Sequence, residues 1–349
     1  MRQNRKRNRA VLLVAVFAVI VALLIAAYAL SGDDEPEDQT PPTFAAEEQT
    51  PVTLFMGYIP SVQFAPAYVA AIKGYFAEEG IAISFENGNE NDGLDRIATN
   101  NLQFGLISGD QVLLARAQDR PVVYIFEWYH NYPVGIVSAV DLDITEPADL
   151  AGRVVSIPGP YGASYMGLRA LLNAGELTED DLGELRSIGY TAADNICEEQ
   201  VEAAVIYIVN EPIQIRDQCT EVNVIKVSDY TSLVSNGLTT NETTIKNDPD
   251  LVRGMVRALQ RGVAYTLDNP DEAFELSVAN YVIDLADEEK ETQRQVLINS
   301  LDLWRSDTLG LTNPAAWEAT QTLLIEIGLM DEPLDDLTTA YDMSFLPAD

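Results

Sequence analysis

The sequence predicts an α/β fold in two lobes, each a mostly parallel β-sheet flanked by helices. Short apolar segments bounded by turn residues alternate with amphipathic segments from residue 54 to residue 227. This alternation is typical of strand–helix–strand units with parallel strands. About three hundred residues follow the N-terminal segments, more than one hydrophobic core usually accommodates. The length therefore favours two lobes over one.

The first lobe begins with an apolar strand at Leu54 that ends in the turn Gly57–Pro60. A helix over Ala65–Glu79 follows and ends at Gly80, because glycine is favoured at helix C-termini. The same alternation then continues to the end of the lobe's first part. The further elements are strand Ile81–Glu86, helix Gly93–Asn100, strand Phe104–Ser108, helix Asp110–Gln118 with Asp110 contributing to its cap, and strands Pro121–Phe126 and Pro133–Ala139.

The second lobe is predicted over residues 140–235, and the first lobe over residues 52–139 and 236–349. Crossings near Ser138 and Asn236 would leave a cleft between the lobes. The second lobe contains helix Glu146–Ala151, strand Arg153–Ile157, helix Ser164–Asn173, strand Leu185–Tyr190, helix Asp194–Glu202, strand Ala204–Val209, helix Pro212–Gln218 and strand Val222–Val227. Four amphipathic helices end the chain: Asp250–Thr266, Pro270–Tyr281, Asp287–Trp304 and Pro314–Ile327.

Aromatic and polar side chains follow the predicted strands at their carboxyl ends, where open α/β sheets bind small ligands. Tyr and Trp present flat faces that stack on a planar ring. Gln and Asn offer a donor and an acceptor to the C=O and N–H edge of a heteroaromatic ring. The candidate ligand-binding residues are Tyr58, Gln63, Phe64, Gln111, Trp128 and Tyr129 in the first lobe, and Tyr161, Ser164, Asn210 and Glu211 in the second.

A glycine-rich turn, Pro158–Ser164, precedes the helix that begins at Ser164. The first N–H groups of a helix have no partner within it, so they suit a carbonyl, carboxylate or phosphate oxygen. A plain strand-to-helix turn without a ligand explains the same residues. With the aromatic and amide residues, the turn predicts a site for a flat and largely neutral heteroaromatic molecule.

The N-terminus has three segments: a basic head over residues 1–9, an uncharged apolar segment over Ala10–Leu30, and an acidic tether over residues 31–51. About twenty apolar residues suffice to cross a bilayer core of about 30 Å. The segment is therefore either a transmembrane anchor, with the basic head inside, or a cleaved secretory signal. Both interpretations export the rest of the chain. No cysteine lies near Leu30, so lipid attachment of the usual bacterial lipoprotein kind is excluded.

The formal net charge of −34 repels phosphate backbones, which argues against nucleic-acid binding. The only cysteines are Cys197 and Cys219, and the only histidine is His130, so no zinc site of the usual spacing can be composed. Whether the two cysteines pair in an oxidising compartment cannot be read from their spacing. No Ser-His-Asp set or phosphate loop of the Walker type is present, and we expect no enzymatic activity.

Four segments carry a resemblance to a known family. They are K-G-Y-F-A-E-E-G from Lys73, V-Q-F-A-P from Val62, S-G-D-Q-V-L-L-A-R-A from Ser108 and W-Y-H-N-Y-P-V-G from Trp128. They resemble the substrate-binding proteins of ABC importers, in the thiamine-pyrimidine and sulfonate type, and within it the riboflavin-binding RibY-type branch. The resemblance runs from about Thr53 to about Leu329 and is strongest before Val140.

The resemblance implies a two-lobed periplasmic-binding-protein-like (type II) fold. It also implies a transported ligand, riboflavin or a related flavin, that ABC permease subunits receive in the membrane. The N-terminal segment would then hold the binding domain at the outer face of the cell membrane. A thiamine precursor such as an aminopyrimidine remains open as the ligand. An exported sensor and a pyrimidine synthase also remain open as functions. Such synthases consume their own histidine and use a cysteine-rich motif, whereas this chain has one histidine and two distant cysteines.

Overall fold

The computed structural model describes residues 49–347. The predicted basic head, apolar segment and most of the tether lie outside the described residues. The first strand begins at Thr50, so the last two residues of the predicted tether belong to the fold. Backbone pairing of Thr50 with Ile81 explains this earlier start, because a strand needs no apolar side chain to form its hydrogen bonds. Within the described range, no helix has the length and apolar character needed to span a membrane.

The first sheet contains five strands in the order β2-β1-β3-β10-β4. Strand β1 pairs in parallel with β2 and β3, whereas β10 pairs antiparallel with both β3 and β4. The strands are β1 Thr50–Met56, β2 Ile81–Asn87, β3 Phe104–Ser108, β4 Val122–Glu127 and β10 Asn236–Asn241. Strands β3 and β4 are buried along their whole length, as expected for strands covered on both faces.

The second sheet has the equivalent order β7-β6-β8-β5-β9. Here β6 pairs in parallel with β7 and β8, and β5 pairs antiparallel with β8 and β9. The strands are β5 Val134–Ala139, β6 Val154–Ile157, β7 Glu184–Ser187, β8 Ala203–Tyr207 and β9 Val222–Lys226. The sequence analysis assigned residues 133–139 to the first lobe, but their hydrogen bonds belong to the second sheet.

The chain crosses between the sheets twice, before β5 and before β10. Each crossing leads directly into the one strand that runs antiparallel to the other four strands of its sheet. The first crossing therefore lies at residues 128–133 rather than near Ser138. Both sheets are mixed, with four strands in one direction and one reversed. The predicted boundary at 139/140 thus falls after a strand that already belongs to the second sheet, whereas the boundary at 235/236 remains a prediction.

Helices cover both sheets. They are α1 Ala65–Ile72, α2 Tyr75–Glu78, α3 Glu90–Ala98, α4 Gly109–Arg116, α5 Gly162–Ala174, α6 Ala192–Cys197, α7 Glu211–Gln218, α8 Glu242–Asn247, α9 Pro249–Asp268, α10 Pro270–Asn280, α11 Lys290–Trp304 and α12 Pro314–Glu326. The predicted helix over Ala65–Glu79 is two helices, because Gly74 adopts a left-handed conformation with φ of 80° between them.

Several helix starts also differ from the prediction, and two of them show what the sequence missed. Helix α3 begins at Glu90 rather than Gly93, because the Asn89 side chain accepts a hydrogen bond from the Asn91 backbone N–H and caps the helix there. Helix α4 begins at Gly109 after Ser108, so Asp110 lies inside its first turn instead of capping it.

Cys197 and Cys219 form a disulfide with a Cα–Cα distance of 5.6 Å, which answers the question that their spacing left open. Cys197 ends α6, and Cys219 follows α7. The bond ties together two helices that pack over a small apolar cluster of the second half, which includes Ile196, Ile206 and Ile215.

Candidate ligand-binding cleft

The candidate site is a cavity at the carboxyl ends of the parallel strands of both sheets. It contains about 750 Å³ of empty space including its open mouth. We call this cavity the slot. Its lining combines six aromatic side chains with amide and carboxyl groups: Tyr58, Phe64, Tyr129, Tyr161, Tyr190, Tyr207, Gln63, Asn210, Asn236, Glu90 and Glu211.

Tyr58 follows β1 and connects the two halves of the cleft. Its hydroxyl accepts a hydrogen bond from Nδ2 of Asn210 at 3.3 Å. Its ring meets the ring of Tyr190 edge to face, with centroids 4.6 Å apart. Burial, followed by the nearby Glu211 carboxyl, raises the pKa of the Tyr58 hydroxyl, so this group stays neutral and can donate as well as accept.

Tyr129 and Tyr207 form a second aromatic wall, with ring centroids 6.5 Å apart. The Tyr207 hydroxyl donates to Oδ1 of Asn236 at 3.2 Å, and the Tyr129 hydroxyl approaches the Gln63 carbonyl at 3.5 Å. Burial raises the pKa of both tyrosines. The two hydroxyls are thus held in place by a side-chain amide and a backbone carbonyl, and both rings line the cleft.

Glu211 begins α7 at the end of β8. Its Oε2 accepts from the Tyr207 backbone N–H at 3.0 Å, and its Oε1 accepts from Nδ2 of Asn210 at 3.4 Å. Burial raises its pKa to about 7. Near neutral pH this carboxyl can therefore present either an acceptor or an O–H donor to a ligand.

Eight of the candidate residues from the sequence line the cleft: Tyr58, Gln63, Phe64, Tyr129, Tyr161, Ser164, Asn210 and Glu211. Each lies on a strand-end loop or in the first turn of the following helix. The structure brings these residues together as the strand-end rule predicts. Their contact with a ligand remains a prediction.

Gln111 and Trp128 lie outside the cleft, which corrects two candidate positions. Gln111 lies on α4, where its Nε2 donates to Oδ2 of Asp110 at 3.0 Å and its side chain borders a different surface depression. Trp128 is only 2% exposed and packs edge to face on Trp304 with ring centroids 6.0 Å apart. Both positions follow a strand, but each side chain turns away from the slot.

Four further residues line the cleft that were not predicted from the sequence: Glu90, Tyr190, Tyr207 and Asn236. Tyr207 ends β8, Tyr190 and Glu90 lie just after β7 and β2, and Asn236 begins the reversed strand β10. The strand-end rule could have found the first three, whereas Asn236 required knowledge that β10 runs antiparallel. Among the described residues that line the cleft there is no Lys, Arg or His, and no metal-binding cluster occurs within residues 49–347.

Comparison with known proteins agrees with this architecture. The family model described as NMT1/THI5 like matches residues 61–273. The riboflavin-binding protein RibY of Chloroflexus aurantiacus is 40% identical over 304 residues, which cover 85% of this chain and 86% of the relative. A formylaminopyrimidine-binding protein of Halalkalibacterium halodurans is 25% identical over 66% of this chain and 70% of its own length.

Enzymes and solved transport proteins also resemble the chain. A 4-amino-5-hydroxymethyl-2-methylpyrimidine phosphate synthase of Legionella pneumophila is 25% identical over 64% of this chain and 72% of the enzyme. The periplasmic aliphatic sulphonate binding protein SsuA of Escherichia coli superposes with a TM-score of 0.67 at 15% identity, over 86% of this chain and 94% of that protein. At that identity the superposition shows a shared fold alone.

Proposed function

This chain belongs to the NMT1/THI5-like family, and from that premise we propose that it is the substrate-binding component of an ABC importer that captures riboflavin or a related flavin. It would bind the vitamin outside the membrane and deliver it to permease subunits. The observation that carries the proposal is a slot lined by both aromatic rings and side-chain amides. The 40% identity to a riboflavin-binding protein over 85% of the chain supports the choice of ligand.

The slot suits an isoalloxazine ring in two respects. Its lining contains tyrosine and phenylalanine rings, and it also contains the side-chain amides of Gln63, Asn210 and Asn236. A stacked aromatic pair contributes about 0.5–1.5 kcal/mol beyond burial. The amides complement a ring edge that carries alternating C=O and N–H groups. We propose the eight lining residues predicted from the sequence, together with Tyr190, Tyr207 and Asn236, as the ligand contacts.

The placement of the cleft between two sheets supports a capture mechanism. The Tyr58–Asn210 hydrogen bond and the Tyr58–Tyr190 ring contact join the two halves across the slot. Binding proteins with such a cleft bury the ligand by closing two lobes about the crossing segments. A ligand between these side chains would replace contacts across the slot with contacts to itself.

An aminopyrimidine is the second candidate ligand. The relationship to a formylaminopyrimidine-binding protein favours it, and the same ring walls and amides would accept a single pyrimidine. Catalysis is a poorer match, because the relative at 40% identity is a binding protein and the synthase relatives share 25% identity or less. We assign the chain a binding role.

The location of the binding domain is a further part of the proposal. Residues 10–30 are apolar and follow a basic head, so we propose that they anchor the domain to the cell membrane with the cleft outside. Delivery to permease subunits would then take place at the membrane surface.

Titration of riboflavin with the purified full chain in mild detergent tests the ligand. Stacking on tyrosine should quench flavin fluorescence saturably, with a dissociation constant in the nanomolar to low-micromolar range. Saturable binding of formylaminopyrimidine without any flavin response would assign the cleft to the second ligand. Absence of binding to either compound would refute both.

The variant Tyr58→Ala tests the site itself. It removes a ring face and the hydroxyl that bonds Asn210, so riboflavin binding should weaken at least tenfold, about 1.4 kcal/mol. Tyr230→Ala is the matched control, because Tyr230 is an exposed tyrosine that does not line the cleft. Equal dissociation constants for the two variants would remove Tyr58 from the ligand site.

A further inference from the structure

Glu90 is a buried carboxyl in the wall of the slot, and it lies between the two halves of the molecule. It is the first residue of α3, which follows β2 of the first sheet, and only 6% of it is exposed. Its Oε1 accepts hydrogen bonds from both the backbone N–H and the hydroxyl of Ser108, at the end of β3. Ser108 therefore holds this carboxyl firmly on the first half.

The other oxygen of Glu90 reaches the second half at the N-terminus of α5. The backbone N–H of Ala163, in the first turn of that helix, acts to lower the pKa of the carboxyl, against the larger effect of burial. Gly162 permits the approach: it has a φ of 64°, and a Cβ there would lie 2.3 Å from Oε2 of Glu90. A side chain at position 162 would thus displace the carboxyl.

The N-terminus of a helix is a favoured position for an anionic oxygen, because its free N–H groups and its dipole point there. Helix α5 has thirteen residues and opens directly onto the slot. In this chain the position holds an oxygen of Glu90. To bind at this position, a sulfonate, phosphate or carboxylate group of a ligand would have to displace the Glu90 carboxyl. That carboxyl is part of the protein chain and is also hydrogen-bonded to Ser108.

Other carboxyl groups in and beside the slot also disfavour an anionic ligand. Glu211 lies in the same lining, which contains no Lys, Arg or His among its described residues. Asp110 is buried beside Glu90, and burial together with this neighbour raises the pKa of Glu90 to about 7. An anionic ligand would therefore lie among carboxyl oxygens with no cation among the described lining residues to compensate its own charge, which is costly at low dielectric.

We propose that Glu90 determines ligand specificity because its carboxyl occupies the position at the N-terminus of α5 where an anionic group of a ligand would otherwise bind. The slot therefore rejects sulfonate, phosphate and carboxylate ligands and accepts neutral ones. The inference rests on the proposed function only in taking this slot as the ligand site. The turn that the sequence suggested for binding a ligand oxygen is then occupied by the protein itself.

Sulfate is a suitable probe, because it is a small oxyanion and contains no ring. In the full chain, Glu90→Ala should create a sulfate site. The melting temperature of this variant should rise saturably with sodium sulfate, relative to sodium chloride of equal ionic strength, and its sulfate affinity by calorimetry should be at least tenfold above that of the unaltered chain. Equal sulfate responses in the variant and the unaltered chain would overturn the proposal.

Two further variants make the test specific. Glu211→Ala removes one carboxyl from the same slot and leaves Glu90 at α5, so an equal gain of sulfate binding would show a general charge effect and refute the proposal. Glu90→Gln keeps an oxygen that accepts hydrogen bonds from Ser108. Its sulfate affinity tests the proposal if the alanine variant does not fold. It should also bind sulfate more tightly than the unaltered chain, and unchanged affinity would count against Glu90.

Riboflavin titration of the same proteins separates the two proposals. If the unaltered chain fails to bind riboflavin while Glu90→Ala gains sulfate binding, the assigned vitamin is wrong and the role of Glu90 stands. If riboflavin binds and no variant gains sulfate, the transport proposal stands and this inference fails.

Discussion

Trp128 and Tyr129 are adjacent in the chain and have different neighbours. Both backbone N–H groups point to the Asn236 carbonyl, at 2.9 and 3.3 Å, which fixes the turn after β4. Tyr129 stacks on Trp304 with centroids 6.1 Å apart and lines the slot, whereas Trp128 lies within the core around Trp304. Both residues therefore belong to the core around Trp304, and Tyr129 alone also forms part of the cavity wall.

Trp128→Ala should consequently act on stability. Removing a fully buried large side chain leaves a cavity and costs about 3–5 kcal/mol of unfolding free energy. We expect a large fall in the urea midpoint with an unchanged slope, and a smaller fall for Trp128→Phe, which keeps a ring against Trp304. An unfolding midpoint like that of the unaltered chain would show that Trp128 is not part of the core.

At the scale of elements, strand-end loops supply the site and helix-to-helix contacts stabilise each half. Helices α6 and α7 are short, with six and eight residues, and they cover an apolar cluster that is small compared with the two main cores. Such a region gains little from burial alone. The disulfide between Cys197 and Cys219 closes a loop of 22 residues there.

The double variant Cys197→Ser/Cys219→Ser should lower the unfolding free energy by about 3 kcal/mol, because an open loop of this length raises the entropy of the unfolded chain. Denaturant unfolding with and without reductant provides the measurement. Reductant should destabilise the unaltered chain and leave the double variant unchanged. A destabilisation by reductant that is equal in both proteins would contradict a role for this bond.

For the whole molecule, charge and burial together set the dependence of stability on pH. Burial raises the pKa of Glu90, Glu127 and Glu211 to about 7 and that of Asp110 to about 6, from ordinary values of 4.5 for Glu and 3.8 for Asp. Between those limits the folded chain binds more protons than the unfolded chain. The associated stability is present at low pH and is lost as pH rises through 6 to 7.

We therefore expect the unfolding free energy to fall between about pH 5 and pH 8, with Glu90 alone contributing on the order of 1–3 kcal/mol. Below about pH 4.5 the opposite trend should appear, since surface carboxyls paired with arginine, such as Glu79 and Glu86, have lowered pKa values. Urea midpoints across this range provide the check. Glu90→Gln should flatten the upper part of the profile, and a stability that rises from pH 5 to pH 8 would contradict the assignment.

The sequence by itself determined the order of the strands from β1 to β9 and of the helices between them, and the rule that places the site, whereas strand β10 was not predicted. Apolar segments, glycine positions and helix caps are local signals in the sequence. Combined with the rule that ligands bind at the carboxyl ends of strands, they predict where the cleft lies. That is why Tyr58, Asn210 and Glu211 could be chosen without coordinates. The same local reasoning explains the errors at Gly74 and Asn89, where one residue's backbone conformation or capping bond moved a helix end.

Only the tertiary structure decided which side chains meet. Trp128 and Tyr129 are adjacent in the sequence and both pack on Trp304, from a helix far along the chain, but only Tyr129 lines the slot. The Cys197–Cys219 bond, the reversed strand that brings in Asn236, and the contact of Glu90 with α5 likewise join residues distant in sequence. The hydrophobic periodicity of a segment predicts which of its faces packs on its own sheet. The contacts named above depend instead on how segments distant in the sequence pack against one another.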